Sequence, residues 1–493
     1  MDMSAFIVQS LLCGMNAAVS AKSHVPSQPC ITETEPRHGL CNIKKSERPD
    51  GPPHSITQRK VTKVAYAGLL LFTAALFIRP QAWAPLLRGF SLFGFGLMDF
   101  IMGFALLAWF AEIGQKGWKF KKIPQNWLML GLVSAVFMSH MRHTNLGDAI
   151  SAVGEFGKVF IYYILIASLL TSTRRVKGLI SMMVIGCLFM SIHGIMQAHT
   201  GAGFGGAAPL IQHGELIRVR AFGTFHDPND LALILVTCLP FLFGEVLSGE
   251  NTAPWRFLNL LPIPFLLYCI YLTNSRGGWL ALAVMALVFC LIYLRKKFLG
   301  IVLGILAVPV VFMLGPSRVG SVTSTGGAVE GRLLAWGYGN RMLKRFPLFG
   351  VGRGRFAIFA GENISPHNSF VQCWAETGLF GYFFWVGLIW ATLQDGWAFI
   401  TSKADGPEAR RLKELSRAGI AALVGYMSAA FFLTRTFHHC PYILFGLFAA
   451  MRNIHMQQIE ESAKYFQWSE TKYVVALELI SIPALWVLVR ILN

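Results

Sequence analysis

From residue 61 onward the chain is built of apolar blocks separated by short polar loops, and this pattern limits the fold most. A helix needs about 20 residues, rising about 1.5 Å each, to cross the hydrocarbon core of a bilayer. Blocks of that size recur at 61–78, 91–111, 126–141, 152–170, 178–196, 231–247, 257–273, 277–294, 298–314, 368–393, 418–434, 437–453 and, more weakly, 473–492. Their apolar residues run continuously rather than alternating, which excludes a membrane β-barrel. Charged residues make up only 14% of the chain, against roughly a quarter in soluble domains, so a water-facing surface cannot be coated. The expected fold is all-α: a polytopic transmembrane helical bundle of about twelve or thirteen spans.

The net charge of +18, from 43 Lys+Arg and 25 Asp+Glu, would suggest nucleic acid in a soluble protein. Here the basic residues flank hydrophobic blocks, where they set orientation, and no nucleic-acid partner is expected. Lys116, Lys119, Lys121 and Lys122, then Arg174, Arg175 and Lys177, then Arg295, Lys296 and Lys297, and then Arg410, Arg411, Lys413 and Arg417 all fall on one side if the N-terminus is inside. That side reads as cytoplasmic. The opposite side receives the loops 79–90, 142–151 and 197–230, and a large loop at 315–367 between spans nine and ten. The large loop is basic too, with Arg318, Arg332, Arg341, Lys344, Arg345, Arg353 and Arg355. A basic outer loop fits an anionic ligand.

The resulting organisation is an N-terminal extension at 1–60, helices one to nine at 61–314, the outer loop at 315–367, and C-terminal helices at 368–493. The extension is polar and proline-rich, and Asp2 stands where a signal peptide would carry positive charge. It reads as disordered. The nine cysteines form no CxxC pair, and Cys187, Cys238, Cys269, Cys290 and Cys373 lie in apolar runs as small hydrophobes. His438-His439-Cys440 lacks a fourth ligand at zinc spacing, so no metal site and no cofactor are expected. Within the spans, Glu155 and Lys158 are three residues apart and are expected to pair along one helix face.

Four polar stretches fall on the outer side. Asp227-Pro228 reads as a helix start in which the Asp227 carboxylate caps free N–H groups, and Asn229 or Asp230 offers a substrate contact. Arg276, in the turn Asn274-Ser275-Arg276-Gly277-Gly278, offers a guanidinium fork suited to phosphate oxygens. Glu330–Gly354 carries Arg332 and Arg353, an amphipathic face of Leu333, Trp336, Met342 and Phe346 suited to lipid headgroups, and a Gly350/Gly352/Gly354 turn. No βαβ unit precedes those glycines, so they are not a nucleotide loop. In Ser365-Pro366-His367-Asn368-Ser369, Asn368 or Ser369 can cap the next helix. His367 then sits at the helix's positive end in basic surroundings, which favours a neutral imidazole able to accept a proton. Glu376, nine residues on, is too far along the helix to orient it and is expected to pack within the bundle.

Taken in order, Gly223–Asn229, Ser275-Arg276-Gly277, Gly331-Arg332 with Trp336, Pro347–Gly352, and His367-Asn368 with Glu376, Gly378 and Gly381 resemble the O-antigen ligase/polymerase superfamily. The resemblance covers about the central third of the chain. It implies a metal-independent glycosyltransferase of the bacterial inner membrane, acting at the periplasmic face on a polyprenyl-diphosphate-linked glycan; direct attack by the acceptor hydroxyl in one step would make it inverting. The acceptor would be a lipid A core, a growing glycan or a protein. By the family pattern Arg276 and Arg332 would hold the donor diphosphate and His367 would act at the acceptor hydroxyl. Asn229, Asn368 and Arg353 are further candidate substrate contacts. The competing reading is a transporter or flippase of lipid-linked glycans, which would line its interior with charge and show repeat symmetry.

Overall fold

The computed structural model describes residues 56–92, 95–116, 123–212, 216–294, 302, 326–361, 364–458 and 465–492. The expected extension at 1–60 falls outside these up to residue 55, and the expected span 298–314 does so except at one position. The long helices are α1 (Ile56–Ile78), α2 (Leu97–Lys116), α3 (Pro124–Met141), α4 (Leu146–Leu169), α5 (Thr173–Thr200), α6 (Pro228–Leu247) and α7 (Ala253–Leu260). They continue with α8 (Pro262–Leu272), α9 (Arg276–Tyr293), α10 (Gly326–Arg345), α11 (Ser369–Thr401), α12 (Pro407–Ala430), α13 (His439–Gln458) and α14 (Thr471–Leu492). Every expected span inside the described residues coincides with one of these helices or, for 257–273, with the pair α7 and α8. The protein is all-α and polytopic.

Among the described residues nine helical segments are long and apolar enough to cross a membrane. Helices α3, α12 and α13 fall outside this set and are largely buried in the bundle. α12 packs against α6, α9, α11 and α13, and α13 lies on α4. Small residues at this contact, such as Gly419 and Gly425, let the helices approach. A Cβ on Gly419 would stand 2.6 Å from the Phe448 ring, and one on Gly425 would stand 2.9 Å from the Met285 Cβ.

Polar contacts sort to two ends. At one end Lys177 pairs with Glu245 at 2.8 Å, Ser248 donates to Glu414 at 2.7 Å, and Thr173 bonds Glu408. These join the loops expected on the basic, cytoplasmic side. At the other end meet the loops before α2, α4, α6, α9, α11 and α13, including a small hairpin that pairs Leu210–Gln212 with Leu216–Arg218.

Two expectations are corrected here. Glu155 and Lys158 do not pair. Lys158 reaches Asp99 on α2 at 2.7 Å, and Glu155 takes Arg353 at 2.9 Å, because each faces a different neighbour across the bundle. Nor is the apolar face of α10 turned to headgroups. Leu333, Trp336 and Met342 are buried, and α10 packs against α11 and α14, leaving Arg341, Lys344 and Arg345 exposed.

Candidate functional site

Three helix starts build the second end. Asp227 caps α6, accepting from the backbone N–H of Asn229 at 2.8 Å with Pro228 in the first turn. Ser275 caps α9 through the N–H of Gly278 at 3.1 Å. Asn368 caps α11 through the N–H groups of Phe370 and Val371 at 2.9 and 3.2 Å. Side-chain caps of this kind satisfy donors that the helix itself cannot.

Asn229 ties the first two starts together. Its amide oxygen accepts from the Ser275 hydroxyl at 2.7 Å and from Arg218 at 3.0 Å, and its amide nitrogen donates to Asp227 at 2.8 Å. Arg218 also donates to the carbonyl of Thr273 at 3.0 Å, just before the cap. The Asn229 side chain therefore positions Arg276, the first residue of α9.

Arg276 and Arg332 lie close enough that the Arg276 charge, together with burial, holds the Arg332 guanidinium below its ordinary pKa. Phe432 adjoins both segments: its ring is 5.8 Å from the Arg332 guanidinium, and its Cβ lies 3.5 Å from where a Cβ on Gly277 would stand. Neither guanidinium has an acidic partner among the described residues. Two like charges at one place without a counter-ion form a site for an anion.

His367 adjoins this pair. Burial is the main force lowering its pKa, and Arg332 and Arg435 add to it, while Asp227 opposes them. The neutral imidazole is therefore the favoured form at neutral pH. Its backbone is left-handed, at φ 45, one of three such non-glycine residues described; the others are Arg79 and Asn274, at the same end. Strained backbone of this kind persists only where its surroundings over-determine it. Here the Thr434 hydroxyl accepts from the His367 N–H at 2.9 Å, and Trp336 donates its indole N–H to the Pro366 carbonyl at 2.9 Å. Trp336 lies one turn beyond Arg332 on the same face of α10, so one helix both presents the cation and braces the histidine.

Sequence reasoning missed the strap that holds these pieces. Residues 431–438 cross the start of α11. The Arg435 guanidinium grips both oxygens of the buried Asp230, and the backbone N–H of Arg435 donates to the Ser369 hydroxyl at 2.9 Å. Ser369 in turn donates to the Leu433 carbonyl at 2.6 Å. The charge partner raises the Arg435 pKa in spite of burial.

The glycine-rich turn has a different role again. Gly378 breaks α11, at φ 66 and ψ −169. The segment 347–352 lies along the break and completes its hydrogen bonds. Val351 and Gly352 donate to the carbonyls of Ala375 and Glu376 at 3.0 and 2.9 Å, and Leu379 and Phe380 donate to those of Pro347 and Leu348 at 2.8 and 3.1 Å. The motifs around Gly350 and Gly378 are two halves of one clasp. Arg353 follows directly and stands apart from Arg276 and Arg332. It bonds Glu155 and the Ala152 carbonyl, beside the buried Glu376 and the Phe437 ring.

A family described as O-Antigen ligase matches residues 262–386, from α8 to the middle of α11. The match contains Arg276, Arg332, the clasp and His367. The match over this segment supports the O-antigen ligase/polymerase superfamily. No curated protein matches it. The match and the apolar helices among the described residues indicate a multi-pass membrane protein with a glycosyltransferase-type segment.

Proposed function

We propose that the protein transfers a glycan from a polyprenyl diphosphate to an acceptor hydroxyl at the periplasmic face of the bacterial inner membrane, with inversion and without a metal ion. The observation that carries the reading is the pair Arg276 and Arg332, brought together without an acidic partner among the described residues and next to a neutral His367. The guanidiniums hold the donor diphosphate and take up its charge as it leaves, the part a divalent ion plays in other transferases. His367 accepts the proton of the acceptor hydroxyl while that oxygen bonds to the anomeric carbon. The bond from that carbon to the diphosphate oxygen breaks on the opposite face, so a single displacement inverts the configuration. The polyprenyl chain remains in the bilayer beside α9.

The test is transfer by purified protein from a polyprenyl-diphosphate glycan, offered lipid A core, polysaccharide and protein acceptors in parallel, with chelator present. Product with inverted configuration on one acceptor is expected. Absence of product on all three, with movement of the donor across reconstituted vesicles, would replace the enzyme by a flippase.

A further inference from the structure

A second cleft, of about 530 Å³, opens beside the site at the same end of the bundle. Its walls carry Asp148, Ser151, Glu155, Arg353, Gln372 and Glu376, and the Phe437 ring forms an apolar patch in it. We propose that this cleft binds the acceptor as a hydroxyl-rich, uncharged stretch of glycan next to the hydroxyl that reacts. The proposal rests on the transferase reading above.

Three observations point to that ligand. The volume lies in the ~300–1,000 Å³ range of small-ligand clefts. The lining mixes carboxylates, an amide and a hydroxyl with the guanidiniums of Arg353 and Arg355, so it offers both donors and acceptors without the unopposed positive charge of the diphosphate site. Arg353 is already paired with Glu155 at 2.9 Å and is not free to claim a phosphate. The Phe437 ring, with the Arg353 guanidinium 5.6 Å from its centroid, adds an apolar edge to the wall.

Position supplies the rest. Along the strap 431–438, Phe432 packs on Arg332, Thr434 holds the His367 backbone, and Phe437 enters the cleft. One strap therefore touches the anion site, the histidine backbone and the cleft in turn, which ties the position of the proposed base to both. Gln372 starts the cleft wall one turn, about 6 Å, beyond the Asn368 cap. It is fixed to the strap by the Thr436 N–H at 3.1 Å.

The experiment reads binding and transfer separately. A photo-crosslinking p-benzoylphenylalanine replaces the exposed Ile358 at the cleft rim, and the full-length protein is irradiated with lipid-free, dephosphorylated core oligosaccharide in the absence of donor. Crosslinking that unlabelled oligosaccharide suppresses, and that Ser151→Trp abolishes, is expected. In transfer assays Ser151→Trp and Asp148→Asn should raise the acceptor KM at least 10-fold and leave the donor KM unchanged. If Ser151→Trp does not fold, Asp148→Asn and the crosslink decide alone. Crosslinking without any transfer by the wild-type protein would keep the glycan cleft and sink the transferase reading. Transfer with no crosslink and unchanged acceptor KM, or transfer to protein acceptors alone, would overturn the cleft assignment.

Discussion

The indole N–H of Trp336 donates to the carbonyl of Pro366 at 2.9 Å, 30 residues along the chain and immediately before His367. Arg332 is one helical turn earlier on the same helix. Histidine placement and guanidinium placement are thus coupled through α10, and neither can shift alone. Trp336→Phe keeps the apolar contact, including the edge-on packing with Phe431 at 5.5 Å, and removes only the hydrogen bond. A net bond of about 0.5–1.5 kcal/mol corresponds to a roughly 2- to 10-fold slower transfer if it acts mainly in the transition state. Unchanged kcat in Trp336→Phe would show that the bond does not position the histidine.

The arginine pair predicts poor replacement by lysine. A lysine keeps the charge and loses the planar fork that meets two phosphate oxygens at once. Losing a charge-assisted contact of about 1.5–3 kcal/mol should slow turnover on the order of 10- to 100-fold in Arg276→Lys and in Arg332→Lys. Fold is checked by retention of the wild-type melting temperature in detergent. Wild-type rates in either variant would remove that residue from the diphosphate role.

The helices, their order and two of the three caps at the site could be read from the sequence, because both are local properties. Apolar length gives a span, and Asp227-Pro228 or His367-Asn368 gives a start. Contacts between distant segments could not be read in that way. Asp230 and Arg435 are 205 residues apart, and nothing near either residue names its partner. Asp99 displaced Glu155 as the partner of Lys158 for the same reason: helix spacing describes one face, and packing decides which face meets which. The clasp did leave a trace in the sequence. Leu-Phe-Gly occurs at 348–350 and again at 379–381, and Phe349 and Phe380 meet edge-on at 5.5 Å.

The clasp makes a stability prediction. Gly378 occupies a backbone region open almost only to glycine, and a Cβ there would lie 2.3 Å from the Leu348 carbonyl oxygen. Gly378→Ala should cost at least about 1–3 kcal/mol from the backbone alone and lower the melting temperature in detergent. Gly337, in mid-helix with nothing within 4 Å of its Cβ position, is the control. Gly337→Ala should hold or raise stability by up to about 1 kcal/mol. Equal melting temperatures for Gly378→Ala and the wild type would mean that α11 is not broken as described.

Orientation is testable without activity. In a background lacking the native cysteines, a cysteine at Ile358 should react with impermeant thiol reagents added to the periplasmic side, and one at Arg411 should not. Ile358 is exposed and Arg411 half-buried, and they lie in helix ends that the alternation of spans puts on opposite faces. The reverse labelling pattern would put Arg276, Arg332 and His367 in the cytoplasm, where the proposed donor site cannot be.

His367 carries the prediction with the most consequences. Burial and the charges of Arg332 and Arg435 lower its pKa below the ordinary 6.5, so the proton-accepting form persists into mildly acid solution. As pH falls through that lowered value the imidazole becomes charged and transfer is lost. The acid limb of kcat/KM, which reports the free enzyme, should therefore lie below pH 6.5. Arg332→Gln removes one of the lowering charges and should move that limb upward, along with its loss of rate. His367→Ala and His367→Gln should both retain donor binding and lose transfer, since an amide can hydrogen-bond but cannot take a proton at these pH values. A His367→Gln protein with near-normal rate and an unaltered acid limb would assign the limb to another group and leave His367 a positioning role only.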